Sequence, residues 1–302
     1  MTHEELAKAI IKLKKERNAI ILAHSYQRPE VQDIADFQGD SLGLSQRAVA
    51  VKEDVIVFCG VHFMAESAAI LSPQKTVLIP EYRAGCPLAD MATPEQVLKM
   101  RERYPDAVVI SYVNTSAAVK AESDCCCTSS NALKVIEHYK DKQIIYLPDQ
   151  NLAKYAMKKL NRKIILWDGY CFVHHKKITR EKVEELIEAH PGIPVIAHPE
   201  CPPEILELAD HITSTSGMII YVKQSPESEF IVLTESGHKH RIKQEAPEKK
   251  CYFIEQAVCA SMKLITLESV YNSLKNMQYL VTVTEDIRLR AKKALEKMLE
   301  IV

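Results

Sequence analysis

Three apolar runs along the chain share one shape. Ala19-Ile20-Ile21-Leu22-Ala23 leads into His24, Ser25 and Tyr26; Val108-Val109-Ile110-Ser111 leads into Tyr112, Val113 and Asn114; Val195-Ile196-Ala197 leads into His198, Pro199 and Glu200. Continuous apolar runs of this length predict strands buried on both faces, as in a parallel sheet. Residues i and i+2 of an extended chain point the same way. His24/Tyr26, Tyr112/Asn114 and His198/Glu200 are therefore expected to present paired polar groups at the C-terminal ends of three strands. A hydroxyl residue follows the first member of each pair by 17 positions: Ser41, Ser129 and Thr215. Each opens an apolar, helix-like stretch, which predicts a helix N-terminus with the hydroxyl as its cap.

The recurrence continues. Second strands are predicted at 55–59, 143–147 and 230–234, and third strands at 76–80, 163–168 and 251–254. A cysteine comes after each third strand: Cys86, Cys171 and Cys259, at 62, 59 and 61 residues from the strand-end residue. Spacings repeated this closely predict an internal repeat. The expected fold is α/β: three pseudo-threefold-related α/β/α units, 1–87, 88–173 and 174–260, each with a small parallel sheet around a central active site. A helical segment, 261–302, is expected to pack on the first unit. Ligands of open α/β sheets bind beyond the carboxyl ends of the strands, so the repeated positions and three cysteines should meet at one place.

Composition narrows the function classes. Lys and Arg number 39 against 40 Asp and Glu, a balance that a duplex nucleic-acid binder would not show. The strongest apolar run, 55–65, is broken by Gly60 and His62 and falls short of the ~20 residues of a membrane helix. The first 18 residues are charged throughout and place Leu6, Ile10 and Leu13 on one helical face, unlike a secretory signal. No membrane or nucleic-acid partner is expected, and the expected location is cytoplasmic. Nine cysteines, an odd number, then act as core residues, ligands or nucleophiles rather than disulfides.

No C-x-x-C pair occurs. Cys59, Cys201 and Cys251 have no counterpart in the repeat and read as core, and Cys125-Cys126-Cys127 reads as buried small residues beside a helix start. Gly85 and Gly169 suit tight turns beside Cys86 and Cys171. Three converging thiolates suit either zinc with an open fourth position or an iron–sulfur cluster with one free iron, and spacing does not choose between them. Three helix starts aimed at one cavity suit a small substrate with several anionic groups. His24, Tyr26, His198 and Glu200 are candidate general acids and bases, and His174, close behind Cys171, either touches substrate or supports a residue that does. A zinc-dependent hydrolase and a non-catalytic small-anion binding module are the alternative readings.

The chain also resembles the quinolinate synthases, iron–sulfur enzymes of de novo NAD biosynthesis. The marks are Leu22-Ala23-His24-Ser25-Tyr26-Gln27, Asp33-Ile34-Ala35-Asp36, Gly39-Asp40-Ser41, Phe63-Met64-Ala65-Glu66, Ala84-Gly85-Cys86-Pro87-Leu88-Ala89-Asp90, Tyr112-Val113-Asn114, Cys127-Thr128-Ser129-Ser130-Asn131-Ala132, His198-Pro199-Glu200-Cys201, Ser214-Thr215-Ser216-Gly217 and Ala257-Val258-Cys259, spread over essentially the whole chain. The resemblance implies a 4Fe-4S cluster on Cys86, Cys171 and Cys259 with one open iron. It implies condensation of iminoaspartate with dihydroxyacetone phosphate to quinolinate, with loss of phosphate and water. It implies substrate binding by His24, Ser41, Tyr112, Asn114, Ser129, His198, Glu200 and Thr215, with Tyr26 and Glu200 as the main proton-transfer groups. An enzyme supplying the unstable iminoaspartate is an implied partner.

Overall fold

In the computed structural model, which describes residues 1–301, the three apolar runs are central strands of three separate parallel sheets. β1 (Ala19–His24) lies between β2 (Phe37–Gly39) and β3 (Val55–Cys59), with β4 (Thr76–Leu78) beyond β3. β5 (Val108–Tyr112) is flanked in the same way by β6 (Cys125–Cys127) and β7 (Ile144–Leu147), with β8 (Ile165–Leu166) outside. In the third sheet β9 (Val195–Ala197) lies between β10 (His211–Ile212) and β11 (Glu229–Leu233), with β12 (Lys250–Tyr252) at the edge. The register repeats as well: Ala23 faces Cys59, Ser111 faces Leu147 and Ala197 faces Leu233. The fold is α/β, one topology three times over.

Each sheet has four strands where the apolar pattern predicts three. The additional edge strands, β2, β6 and β10, are two or three residues long, too short for periodicity to register. Cys125-Cys126-Cys127 is one of them, fully buried as a strand rather than lying beside a helix start. An aspartate just ahead of each edge strand sets its place. Asp36, Asp124 and Asp210 accept the backbone N–H of Ile21, Val109 and Val195 at 2.8 Å. Their own N–H groups donate to the carbonyls of the same three residues at 2.9 Å. This clamp joins residues 15 apart in all three units.

Burial explains the continuous runs, since both faces of each sheet are covered. Ile21, Leu22, Ile56 and Val57 are fully buried, as are Ile110, Ile144 and Ile145, and Ile196, Ile231 and Val232. The first two units share one apolar core, the second has a further core of its own around Val97, Val109 and Ile145, and the third packs separate cores on its two faces. The N-terminal helix His3–Glu16 opens with a Thr2/Glu5 capping box and buries Leu6 and Ile10. The C-terminal stretch divides between two units instead of resting on the first alone. Helix Leu267–Asn276 packs on the N-terminal helix and β3, whereas helix Glu285–Glu300 lies against Ala117–Ala121, β6 and His62–Leu71. Among the described residues no helix is long and apolar enough to cross a membrane.

Candidate active site

The carboxyl ends of the central strands open on one cavity of about 450 Å³. All thirteen residues singled out in the sequence line it: His24, Tyr26, Ser41, Cys86, Tyr112, Asn114, Ser129, Cys171, His174, His198, Glu200, Thr215 and Cys259. The paired residues reach it by a different route from the extended geometry expected. β1 ends at His24 and β9 at Ala197, and the chain turns at once. In the turn the Tyr26 N–H bonds to His24 Nδ1 at 3.1 Å, and the Glu200 N–H reaches toward His198 Nδ1 at 3.4 Å. The backbone thereby fixes both imidazoles and leaves each Nε2 free to face the cavity. His198 Nε2 lies 3.2 Å from Ser129 Oγ.

The helix starts also differ from expectation. Ser41 and Thr215 are first residues of helices, but the caps are their predecessors: Asp40 accepts the Gly43 N–H at 2.9 Å and Ser214 the Gly217 N–H at 3.3 Å. Ser129 sits in a turn ahead of a helix that begins only at Ala132. Two helix N-termini and one turn, rather than three helix starts, face the cavity. The cap residues join across the units. Ser130 Oγ donates to Asp40 Oδ2 at 2.8 Å and stands 2.9 Å from Ser214 Oγ, so one residue from each unit meets at the centre.

The three cysteines occupy matching turns. Backbone N–H groups two and three residues on point at the sulfurs of Cys86 (from Leu88 and Ala89) and Cys259 (from Ser261 and Met262), and the His174 N–H points at Cys171. Burial pushes all three thiols up, Cys86 to about 12, while these N–H groups work the other way by favouring sulfur that carries negative charge. Gly169 is required on approach to Cys171, because a Cβ there would run into the Pro148 carbonyl; Gly85 has open space and a normal φ. Among the described residues, the ligand atoms close enough to share one ion are those of Cys171, His174 and Glu200, all within 4.8 Å of one another. Cys86 and Cys259 stand outside that group.

Tyr112, Glu200 and His174 form one hydrogen-bonded chain. Glu200 Oε1 accepts from the Tyr112 phenol, and Oε2 lies 2.9 Å from His174 Nδ1. Burial opposes ionisation of Glu200, but His174 and the Tyr112 hydrogen bond outweigh it and hold the carboxyl below the ordinary carboxylate range. The Tyr26 and Tyr112 phenols are pushed well up, by burial first and by the Glu200 charge second, so both stay protonated at neutral pH. Burial lowers His24 to about 4 and His198 to about 3, which leaves both neutral. The Asn114 amide oxygen is buried without a partner.

Four functional-looking groups escaped the sequence reasoning. Asp149 and Glu235 occupy matching places two residues beyond β7 and β11. Asp149 accepts the Cys171 N–H at 3.1 Å and Glu235 the Cys259 N–H at 3.0 Å. Val61 holds that place in the first unit, so no threefold pattern announces them. Lys263 pairs with Glu235 at 3.0 Å, and Lys177 lines the cavity.

A cavity enclosed by three like α/β units, with thiols on its wall and ionisable side chains hydrogen-bonded in series, defines an enzyme site. Comparison with known proteins gives the family. The quinolinate synthetase A protein (NadA) family model matches residues 8–300. The quinolinate synthase of Methanosarcina barkeri (strain Fusaro / DSM 804) is 56% identical over 302 residues, all of this chain and 99% of that protein. That of Geobacter sp. (strain M21) is 51% identical over the same span and share, and that of Thermodesulfovibrio yellowstonii is 52% identical over 295 residues, 97% of each chain. The chain belongs to the quinolinate synthetase A family.

Proposed function

We propose that this enzyme condenses iminoaspartate with dihydroxyacetone phosphate to form quinolinate, with loss of phosphate and water. The observation that most supports it is the meeting of thirteen residues from three distant stretches on one cavity. Its polar wall suits a dicarboxylate and a phosphate ester: two helix N-termini, and neutral His24 and His198, whose Nδ1 atoms accept backbone N–H groups and whose Nε2–H groups can donate to an anion. In this reading His24, Ser41, Tyr112, Asn114, Ser129, His198 and Thr215 bind and orient the substrates. Glu200, ionised, removes a proton, and Tyr26, protonated, supplies one. His174 and Tyr112 hold the Glu200 carboxylate in place.

The donor set fits a 4Fe-4S cluster held by Cys86, Cys171 and Cys259. Three thiols in matching turns receive backbone N–H groups, which stabilise sulfur ligands. Zinc bound by three thiolates at about 2.3 Å needs the sulfurs about 3.8 Å apart, and these three do not form so close a group. When bound, such a cluster supplies a Lewis-acidic iron open to a substrate hydroxyl or carboxylate. Iminoaspartate is unstable in water, so an enzyme producing it nearby is the proposed partner.

Anaerobically purified protein should contain iron and acid-labile sulfide in equal amounts, and Cys86→Ala, Cys171→Ala and Cys259→Ala should each lose both, together with quinolinate formation. Stoichiometric zinc in place of iron would move the assignment to a hydrolase. No metal after cluster reconstitution would leave an anion-binding protein.

A further inference from the structure

One thiol of the cavity stands apart from the other two and beside a different set of donors. Cys171 Sγ, a carboxylate oxygen of Glu200 and a ring nitrogen of His174 lie within 4.8 Å of one another. His174 Nδ1 is the middle of the group, 3.3 Å from Cys171 Sγ and 2.9 Å from Glu200 Oε2. Tetrahedral zinc bound by sulfur, nitrogen and oxygen holds those atoms roughly 3.4–3.6 Å apart. Side-chain shifts of about 1 Å therefore bring the three onto a single ion. Cys86 and Cys259 are no part of the group.

The surroundings suit a set of ligands. Glu200 Oε1 accepts from the Tyr112 phenol, which leaves Oε2 for an ion. His174 Nε2 faces the Thr234 hydroxyl at 3.0 Å and can carry the ring hydrogen there while Nδ1 binds. The His174 backbone N–H points at the Cys171 sulfur. Outer hydrogen bonds of this kind orient metal ligands. His174 and Glu200 are buried and Cys171 is partly so. All three line the cavity, so the fourth position of an ion would open on it. A thiolate, a carboxylate and a neutral imidazole together cancel the charge of a divalent ion, as a buried site requires. Zinc binds such a set more tightly than ferrous iron does.

We propose that the chain without its cluster binds one divalent ion, zinc above all, at Cys171, His174 and Glu200. The site shares Cys171 with the proposed cluster, so ion and cluster exclude each other, and the ion also occupies the carboxylate assigned to proton transfer. The binding is read from the geometry alone; the exclusion rests on the quinolinate synthase reading above.

The test uses cluster-free full-length protein under anaerobic conditions, titrated with Co²⁺ as an optical probe and with Zn²⁺ in a calorimeter. The parent should take up one Co²⁺ with a sulfur-to-cobalt charge-transfer band, and Zn²⁺ should displace it. Cys86→Ala and Cys259→Ala should bind Zn²⁺ within about threefold of the parent, whereas His174→Ala and Glu200→Gln should bind it at least about tenfold more weakly. Cys171→Ala should lose affinity and band together. Circular dichroism checks the fold of each variant, and one that does not fold leaves the other ligand variants to decide. No saturable site in the parent, or parental affinity in Cys171→Ala, overturns the proposal. Loss of Zn²⁺ from Cys86→Ala and Cys259→Ala overturns it as well, since the ion would then sit on the three cysteines. Parent loaded with iron and sulfide should bind Zn²⁺ at least about tenfold more weakly than cluster-free parent, and equal affinity overturns the exclusion. A chain that binds Zn²⁺ in the expected pattern but forms no quinolinate after loading defeats the functional reading and leaves the metal site standing.

Discussion

Replacing Glu235 by Gln tests how the Cys259 turn is held. Both carboxylate oxygens are committed to donors: Oε1 accepts from the Cys259 N–H at 3.0 Å and stands 3.0 Å from Lys263 Nζ, and Oε2 accepts the Gly237 N–H at 2.7 Å. Glutamine offers only one oxygen, so its NH₂ must face one set of N–H donors. A hydrogen bond to a charged partner contributes roughly 1.5–3 kcal/mol. Largely buried Lys263 would also lose its counter-charge, and breaking a buried pair costs roughly 3–5 kcal/mol. A net loss of about 3 kcal/mol is expected. At an unfolding entropy of about 2.1 cal/mol/K per residue, that lowers Tm by about 5 °C in a chain of this length. Circular dichroism during anaerobic heating, at matched iron loading, measures the shift. Hydrogen exchange should be faster at the Cys259 and Gly237 amides than in the parent. A fall below roughly 1 °C, with those amides unchanged, would refute the reasoning.

Acid should destabilise the protein through its buried histidines. His24 binds its proton only near pH 4 when folded but at about 6.5 when unfolded, because burial disfavours the imidazolium more than the Asp40 and Glu200 charges favour it. The stability carried by the neutral ring is present above pH 6.5 and lost as pH falls towards 4, on the order of 3 kcal/mol for this group. His24→Asn should flatten the dependence of Tm on pH across that window, and an unchanged slope would count against it. Asp210→Ala removes the bond to the Val195 N–H and should cost about 2 kcal/mol in urea unfolding; a loss within error would mean that the clamp is dispensable. Ser130→Ala should raise KM more than it lowers kcat, because it loosens the meeting of Asp40 and Ser214 around the bound anion. Single-turnover quinolinate formation should slow sharply in Tyr26→Phe and Glu200→Gln, and parental rates in both would remove these residues from proton transfer.

Much of this architecture was legible because buried parallel strands leave continuous apolar runs and because the units preserve their spacings. The 17-residue interval led to Ser41, Ser129 and Thr215, and the cysteine offsets led to three matching turns. The edge strands were hidden by their length, yet a signal for them existed. Asp36, Asp124 and Asp210 each stand 12 residues after His24, Tyr112 and His198, an interval as regular as the one used. The caps were misassigned by one residue in two units because hydroxyl, carboxylate and helix start are adjacent there. Asp149 and Glu235 match each other but repeat in only two units. Val61 holds their place in the first, so only the folded register sets them side by side.

The junction of Asp40, Ser130 and Ser214 bears on the order in which the chain assembles. Each sheet closes within its own stretch, residues 19–78, 108–166 and 195–252, so each can form from contacts of modest sequence separation while the chain is still being made. The hydrogen bonds at the junction span 90 and 84 residues. They are available only once all three units have docked, and the cavity exists only then. A chain halted before its third unit would hold two sheets and two of the three cavity cysteines, with no β9 to bring Glu200 to Tyr112.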